Sequence, residues 1–158
     1  MDDLTLERLT ELDAPSLFVF EKKNKAWFEA HVGPRPDSYL TLEGLSAVVM
    51  EQVAAGELMY LLKLGGRIIG RVNLTGIDAR VAQLGYRLGK DHCGKGLATQ
   101  AVGMVLEAAR AQGLWAIEAR VLAGNPASRR VLEKNGFLHT GSARIGDKAC
   151  DTFRRDLD

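Results

Sequence analysis

The sequence has little that would bind a metal, cross a membrane or attract a polyanion. Its two cysteines, Cys93 and Cys150, stand in no metal-binding spacing such as C-x-x-C and could form only one disulfide. No uncharged apolar run approaches the length that spans a membrane. The formal net charge of +1 gives no reason to expect a nucleic-acid or anionic-membrane partner. We therefore expect no metal, no nucleic acid and no membrane association.

The amino-terminal stretch also lacks the features of an export signal. MDDLTLERLT is acidic and has neither a basic flank nor an apolar core. Because cysteines are few and unpatterned, we expect a reduced, cytoplasmic protein. The chain has 158 residues, of which 46% are apolar and 26% charged, and it contains no repeat or low-complexity tract. This composition predicts one globular domain over residues 1–158.

Turn and capping residues divide the chain into seven expected strands and four expected helices. Gly65 and Gly66 join two apolar runs as a two-residue hairpin turn, and Asn125 before Pro126 is typical of a helix start. The expected strands cover residues 4–9, 57–64, 67–77, 80–88, 114–122, 136–145 and 149–157, and the expected helices cover residues 15–31, 40–56, 97–112 and 125–135. The order β-α-α-β-β-β-α-β-α-β-β predicts a mixed sheet with helices against it.

A glycine-rich loop, GKDHCGKGLATQ, lies between an expected strand and an expected helix. Gly94 and Gly96 carry no side chain, so backbone N–H groups can face an anion at the positive end of the helix dipole. The loop fits the phosphate motif G-x-x-x-x-G-K up to Lys95, but Gly96 replaces the magnesium-binding Ser or Thr. Thr99 replaces the third Gly or Ala of a dinucleotide fingerprint. A diphosphate such as that of coenzyme A therefore fits better than a hydrolysable triphosphate, and a tight turn without a ligand is the alternative.

Several spaced motifs resemble the GNAT acetyltransferases, and in particular their RimJ/RimL-type subgroup. CGKGLA at residues 93–98 resembles motif A, Q/R-x-x-G-x-G/A. NPAS and NGF, within residues 118–137, resemble the subgroup's Asn-x-x-Ser and Gly-Phe signature, and LGYRL and GRVNL also fit it. The resemblance runs from about residue 4 to the end. It implies an α/β (α+β) GNAT fold: a mixed, mostly antiparallel sheet of six to seven strands, about four helices, and a V-shaped splay between strands 4 and 5.

The resemblance also implies a binding site for acetyl-CoA. The pyrophosphate would lie on the backbone amides of Cys93, Gly94, Lys95, Gly96, Leu97, Ala98 and Thr99. The pantetheine arm would pair with the backbone at Tyr86, Arg87 and Leu88, in the splay. Asn125 would hold a pantetheine amide, and Ser128 would lie near the thioester sulfur. Lys134 or Arg129 could reach the adenosine 3′-phosphate, with an ordinary solvated helix face as the alternative for each.

The implied reaction is direct attack of a neutral amine on the thioester carbonyl. A backbone N–H near Leu88 would stabilise the oxyanion, a contribution of about 3 kcal/mol. Ser128 would protonate the departing thiolate. The subgroup often has an acidic residue two positions before its Gly-Tyr, where this chain has Gln83, and Gln100 replaces a usual Glu. The remaining candidate bases are Glu118, Glu21 and His139.

Because Gln83 stands where the subgroup often has an acidic residue, an amine acceptor that loses its proton easily is favoured. An α-amine with a pKa of about 7.7–8.0 is roughly a tenth neutral at pH 7, whereas a lysine amine near about 10.4 is almost wholly charged. The difference amounts to about 3.5 kcal/mol. We therefore expect a peptide amino terminus or a small-molecule amine as the acceptor.

The first two expected helices and their connecting loop should form the acceptor pocket. Its candidate residues are Glu21, Asn24, Trp27, Phe28, Arg35 and Tyr39, with Gln83 from the strand before the loop. Trp27 and Phe28 fit a core position better than a binding one. Arg35 stands between two prolines, PRP, and is the best candidate to bind a substrate carboxylate or phosphate.

Alternatives remain at this point. Gln83 and Gln100 allow a non-catalytic acyl-CoA-binding module, and an aminoglycoside or polyamine acetyltransferase is compatible with the motifs. A nucleotide phosphohydrolase is disfavoured by Gly96. Cys93 stands where motif A usually has Gln, Arg or a bulky residue, and its thiol could form a mixed disulfide with bound coenzyme. Monomer and homodimer are both open.

Overall fold

A computed structural model describes residues 3–157, which form seven strands and five helices. The strands are β1 (Leu4–Arg8), β2 (Leu58–Leu64), β3 (Arg67–Asp78), β4 (Val81–Leu88), β5 (Ala116–Leu122), β6 (Leu138–Ile145) and β7 (Lys148–Asp156). The helices are α1 (Ala14–Lys23), α2 (Lys25–His31), α3 (Leu42–Ala54), α4 (Leu97–Ala111) and α5 (Pro126–Lys134). Short 3-10 turns lie at Glu11–Asp13, Asp37–Leu40 and Lys90–His92.

The strands form a mixed sheet in the order β1-β2-β3-β4-β5-β7-β6. β4 and β5 are parallel, whereas β1 with β2, β5 with β7 and β6 with β7 are antiparallel. The predicted mixed sheet of six to seven strands is thereby confirmed. The register of β4 with β5 runs from Val81 opposite Ala116 to Gln83 opposite Glu118. The two strands are thus parallel over residues 81–83 of β4.

The predicted single helix over residues 15–31 is wrong, because the helix breaks at Asn24. Asn24 has φ −102° and ψ 7°, and its buried amide has two partners. Nδ2 donates to the Phe20 carbonyl oxygen at 3.0 Å, and Oδ1 accepts from the Lys90 N–H at 2.9 Å. The second bond comes from a residue distant in sequence, so local periodicity does not reveal the break. The described residues therefore form five helices, one more than the sequence pattern predicts.

The chain divides into two compact units. One runs up to Asn73 and includes Tyr86–Lys95, and the other comprises Leu74–Gly85 and the chain from Gly96 onward. The core of the first unit consists of buried apolar residues from α1, α2, α3, β2 and the adjoining loops: Leu9, Ala14, Leu17, Phe20, Phe28, Leu45, Val49, Met59 and Leu61. The single domain expected from the sequence stays a prediction.

In the second unit the buried residues recur at helical spacing on α4 and alternate on β5. The buried face of α4 consists of Ala101, Val102, Val105, Leu106 and Ala109. Spacings of three and four residues place these side chains on one side of the helix. Gly96, which precedes α4, is exposed, and the first residues of the helix are half-buried.

Candidate functional site

The glycine loop has the open backbone that an anion site requires. Gly94 has φ 74° and Gly96 has φ 76°, a left-handed conformation that favours glycine. A Cβ built on either glycine would have no atom within 4 Å, so their backbone faces open space. Gly96 is the N-cap of α4, and the Gln100 N–H donates to the Gly96 carbonyl at 3.2 Å. The N–H groups of Leu97, Ala98 and Thr99 lie in the first turn of α4, where helical N–H groups have no intrahelical acceptor.

This geometry can hold a phosphate group without a metal ion. The helix dipole and first-turn amides of α4 favour a negative charge at Gly96. Lys95 is exposed and adds a positive charge to the same loop. Among residues 3–157, no group of His, Cys, Asp and Glu side chains is placed to hold a metal ion. Within those same residues, no helix has the length and apolar character needed to cross a membrane.

Cys93 precedes the two glycines and is half-buried. Its Sγ lies 3.4 Å from the Gly89 carbonyl oxygen and 3.8 Å from that of Leu88. Burial raises the pKa of the Cys93 thiol, and a hydrogen bond with Trp27 only partly offsets this. A raised pKa lowers the thiolate fraction, and the thiolate is the form that forms disulfides. A mixed disulfide between Cys93 and bound coenzyme stays a prediction.

The end of β4 lies against β3 at a very short distance. A Cβ on Gly70 would lie 2.6 Å from the Arg87 carbonyl oxygen, so this position in β3 requires glycine. The Gly89 N–H donates to the Ile69 carbonyl at 2.8 Å and holds the strand end in place. The Arg87 guanidinium lies 4.9 Å from the centre of the Phe28 ring. Tyr86 and Leu88 are half-buried.

Asn125 and Ser128 lie together at the start of α5. Asn125 is the N-cap predicted from the sequence: its Oδ1 accepts from the Ser128 N–H at 3.2 Å. Asn125 is exposed and Ser128 half-buried. In the same helix, Arg129 pairs with Glu133 and with Asp151, each at 3.4 Å.

Gln83 and Glu118 are neighbours across the parallel pair β4 and β5. The Gln83 Nε2 donates to Glu118 Oε1 at 3.1 Å, and Glu118 Oε2 lies 3.7 Å from Arg154 Nη1. The sequence singles out both residues but does not predict their contact, since that depends on strand register. His139, the third candidate base, pairs instead with Asp151 at 3.2 Å on the exposed surface of its unit.

Most of the expected acceptor residues surround a cavity of about 320 Å³ in the first unit. The cavity is lined by α1, α2 and the following loop, including Glu21, Phe28, Arg35 and Tyr39. Glu21 is buried, with 4% of its surface exposed, and its Oε1 accepts from Arg35 Nε at 2.6 Å. Trp27 stacks on His31 with ring centres 3.8 Å apart. Asn24 instead binds the backbone at the helix break, so its acceptor role stays a prediction.

Arg71 is a buried charge that no sequence motif identifies as a site residue. It is 1% exposed and lies on β3. Its Nη2 donates to Gln52 Oε1 at 2.9 Å, and its Nη1 lies 3.5 Å from the Tyr39 hydroxyl. Burial lowers the pKa of Arg71, and it lowers that of Arg87 to about 10. The signal that could have found it is a charged residue placed between the apolar residues Ile69 and Val72 of an expected strand.

Comparison with known proteins shows the class of this protein. Residues 3–138 match the model of the acetyltransferase (GNAT) domain. This match covers most of the chain, which therefore belongs to the GNAT acetyltransferase family, as its motifs predict.

Three similar proteins give this assignment detail. The probable N-acetyltransferase YjcK of Bacillus subtilis (strain 168) is 36% identical over 142 residues, covering 84% of this chain and 78% of that protein. The crystal structure of ribosomal-protein-S5-alanine acetyltransferase from Vibrio fischeri has a TM-score of 0.89 at 20% identity, covering 100% of this chain and 97% of that one. A structure of RimL, the ribosomal L7/L12 alpha-N-protein acetyltransferase, in complex with coenzyme A has a TM-score of 0.87 at 23% identity, covering 98% and 94%.

Proposed function

We propose that this acetyltransferase transfers the acetyl group of acetyl-CoA to a primary amine, with an α-amine as its preferred acceptor. The observation that carries the cofactor is the glycine loop, where two left-handed glycines open the backbone at the amino end of α4. Gly96 provides no hydroxyl for magnesium, which fits a diphosphate held by main-chain amides. The complex of RimL with coenzyme A supports the same assignment.

The pyrophosphate would be bound by the amides of residues 93–99, and the pantetheine arm by the β4 backbone at Tyr86, Arg87 and Leu88. The Asn125 side-chain oxygen is engaged in capping α5, which leaves its Nδ2 to donate to a pantetheine carbonyl. When bound, acetyl-CoA supplies a thioester whose carbonyl accepts the amine and whose sulfur departs. Ser128 would donate the proton to that sulfur, and the Leu88 N–H would stabilise charge on the carbonyl oxygen.

The acceptor preference rests on the weak base at the pair Gln83 and Glu118. The Gln83 side chain donates to Glu118 Oε1 at 3.1 Å. This hydrogen bond occupies one oxygen of the Glu118 carboxylate, and Gln83 itself has no carboxylate. An α-amine needs little assistance, because its pKa lies about 2.5 units below that of a lysine side chain. The names of the S5-alanine and alpha-N-protein acetyltransferases agree with this choice.

The test is thiol release from acetyl-CoA with three kinds of acceptor at pH 7. One is an Ala-initiated peptide without lysine, the second is its N-acetylated analogue carrying one lysine, and the third is a panel of spermidine and an aminoglycoside. We expect the free α-amine to give the highest kcat/KM. Faster turnover of the lysine peptide or of the polyamine would refute the acceptor assignment, and absence of thiol release with every amine would refute the transfer.

Ser128→Ala and Ser128→Thr test the assigned proton donor. Because a positioned acid contributes about 10²–10⁴-fold, Ser128→Ala should lower kcat by at least about a hundredfold. The hydroxyl of Ser128→Thr should retain much more of the rate. Calorimetric affinity for coenzyme A should stay near wild type in both variants, since the Ser128 N–H that caps α5 is retained.

A further inference from the structure

The acceptor cavity of the first unit contains an arginine whose binding edge is open. Arg35 lies over the Tyr39 ring at 4.8 Å, and its Nε is held by Glu21 Oε1 at 2.6 Å. Stacking and pairing together fix the plane of the guanidinium. In the described part of the chain, the terminal nitrogens Nη1 and Nη2 of Arg35 have no hydrogen-bond partner. The Arg35 side chain is 22% exposed and lines the cavity.

The surroundings of Arg35 carry more positive than negative charge. Arg71 and Arg87 lie close enough to influence each other and Arg35, and Glu21 is the one acid whose charge acts on both. Three arginines therefore contribute positive charge near one buried carboxylate, and only Arg35 pairs with it directly. The other charged residues that line the cavity largely cancel one another. Lys25 pairs with Glu29 at 2.5 Å, and the exposed Lys22 and Asp37 carry opposite charges. The inner part of the cavity thus favours an anion.

Three buried polar atoms of this cluster also have no partner among the described residues. They are Glu21 Oε2, Arg71 Nε and Arg87 Nη1. Arg71 is 1% exposed and Glu21 is 4% exposed, so protein alone leaves these groups incompletely satisfied. Buried charge without a full set of partners is costly. The negative charge of an oxyanion bound at Arg35 would offset part of this cost for Arg71 and Arg87, whose unpartnered atoms are donors, but not for the Glu21 carboxylate.

We propose that this cavity binds a carboxylate carried by the amine acceptor, with Nη1 and Nη2 of Arg35 as the bidentate donor. This inference rests on the proposed acetyl transfer and narrows its acceptor to amines that bear a nearby acidic group. Glu21 and Tyr39 position the guanidinium, while Arg71 and Arg87 supply positive potential from behind. A planar guanidinium with two parallel N–H groups matches a carboxylate in geometry. The volume of about 320 Å³ suits an amino-acid side chain or a single amino acid.

Matched acceptors test this preference directly. The peptides Ala-Asp-Ala-amide and Ala-Asn-Ala-amide differ in one charge at nearly constant shape, and β-alanine with its amide tests a free amino acid. We expect the acidic peptide or β-alanine to exceed its neutral partner by about 10- to 100-fold in kcat/KM, the range of a hydrogen-bonded charge. The pair that shows the effect identifies the source of the carboxylate. Equal rates within both pairs would overturn the proposal.

Two variants and one control assign the effect to Arg35. Arg35→Gln should bring the acidic-to-neutral ratio close to one and change the rate with the neutral acceptor much less. Arg35→Lys keeps the charge but lacks the fork, so it should retain part of the preference and maintains a partner for Glu21. Arg144→Gln removes the same charge from the exposed β6 end, where Arg144 binds the Asp147 carbonyl, and should keep the full preference. A ratio unchanged in Arg35→Gln would overturn the assignment.

Binding measurements separate this inference from the proposed transfer reaction. Calorimetry of each peptide with wild-type protein and saturating coenzyme A gives the ratio of dissociation constants without any turnover. A tenfold or larger ratio supports the carboxylate site even if no thiol is released, in which case the transfer proposal alone fails. A ratio near one with normal thiol release overturns the carboxylate site and leaves the transfer proposal standing.

Discussion

Replacing Gly96 by alanine tests whether the open space at the amino end of α4 belongs to the cofactor. Gly96 has φ 76°, and a Cβ built there has no atom within 4 Å. In the protein alone, Gly96→Ala therefore introduces backbone strain but no clash. A left-handed alanine costs about 1–2 kcal/mol, and the stiffer unfolded chain returns about 0.4–1 kcal/mol. The net loss of about 1 kcal/mol should lower Tm by about 2–4 °C.

The opposite end of the same helix offers a matched control. Gly113 follows α4, has φ 77°, and likewise has no atom within 4 Å of a built Cβ. Gly113→Ala should therefore lose the same stability as Gly96→Ala. Gly113 lies at the negative end of the helix dipole, where an anion has no reason to bind. Any difference in cofactor affinity between the two variants then reports on the site and not on strain.

Coenzyme A binding, measured by calorimetry at a fixed salt concentration, is the assay. A methyl group on Gly96 would occupy the space of a phosphate oxygen and remove at least one charge-assisted hydrogen bond. Such a bond contributes about 1.5–3 kcal/mol, so the affinity of Gly96→Ala should fall by about 10- to 100-fold. Gly113→Ala should bind like wild type. Similar affinities for all three proteins would refute the phosphate site at this loop.

Three further predictions address the base, the thiol and the helix break. Gln83→Glu places a second carboxylate beside Glu118, and because two neighbouring carboxylates resist joint ionisation, the pair should take up a proton near neutral pH and act as a base. The kcat/KM for the lysine peptide should then rise at least about tenfold more than the kcat/KM for the α-amine peptide. An unchanged ratio of the two values would contradict the role of this pair. Because burial raises the pKa of Cys93, its thiolate fraction at pH 8 is lower than that of an ordinary thiol. Its alkylation, followed by mass spectrometry, should be slower than that of glutathione and should become slower still with coenzyme A bound; alkylation as fast as glutathione would be inconsistent with this. Asn24→Ala removes the acceptor of the Lys90 N–H, so the free energy of unfolding should fall by about 1–3 kcal/mol, which lowers Tm by about 2–12 °C in thermal unfolding. An unchanged Tm would contradict a structural role for the Asn24 amide.

The element order and the glycine loop could be predicted from the sequence because their causes are local. Alternation of apolar residues, the Gly65–Gly66 turn and the Asn125 cap each depend on residues a few positions apart. In the structure both turn glycines have positive φ and Asn125 binds the Ser128 N–H, as those patterns indicate. Gly94 and Gly96 likewise have left-handed conformations, which favour glycine over other residues.

The break at Asn24 and the grouping of the charged residues were decided by tertiary structure. The Asn24 side chain is held by Lys90, 66 positions away, and no helical pattern around residue 24 contains that partner. Register places Gln83 beside Glu118, and packing buries Arg71 while it orients Arg35 between Glu21 and Tyr39. Each of these effects joins residues that are distant along the chain. Sequence alone therefore determined which chemical groups are present and how the backbone turns near the glycine loop. Tertiary structure decided which of those groups come into contact, because burial and strand register depend on the whole chain.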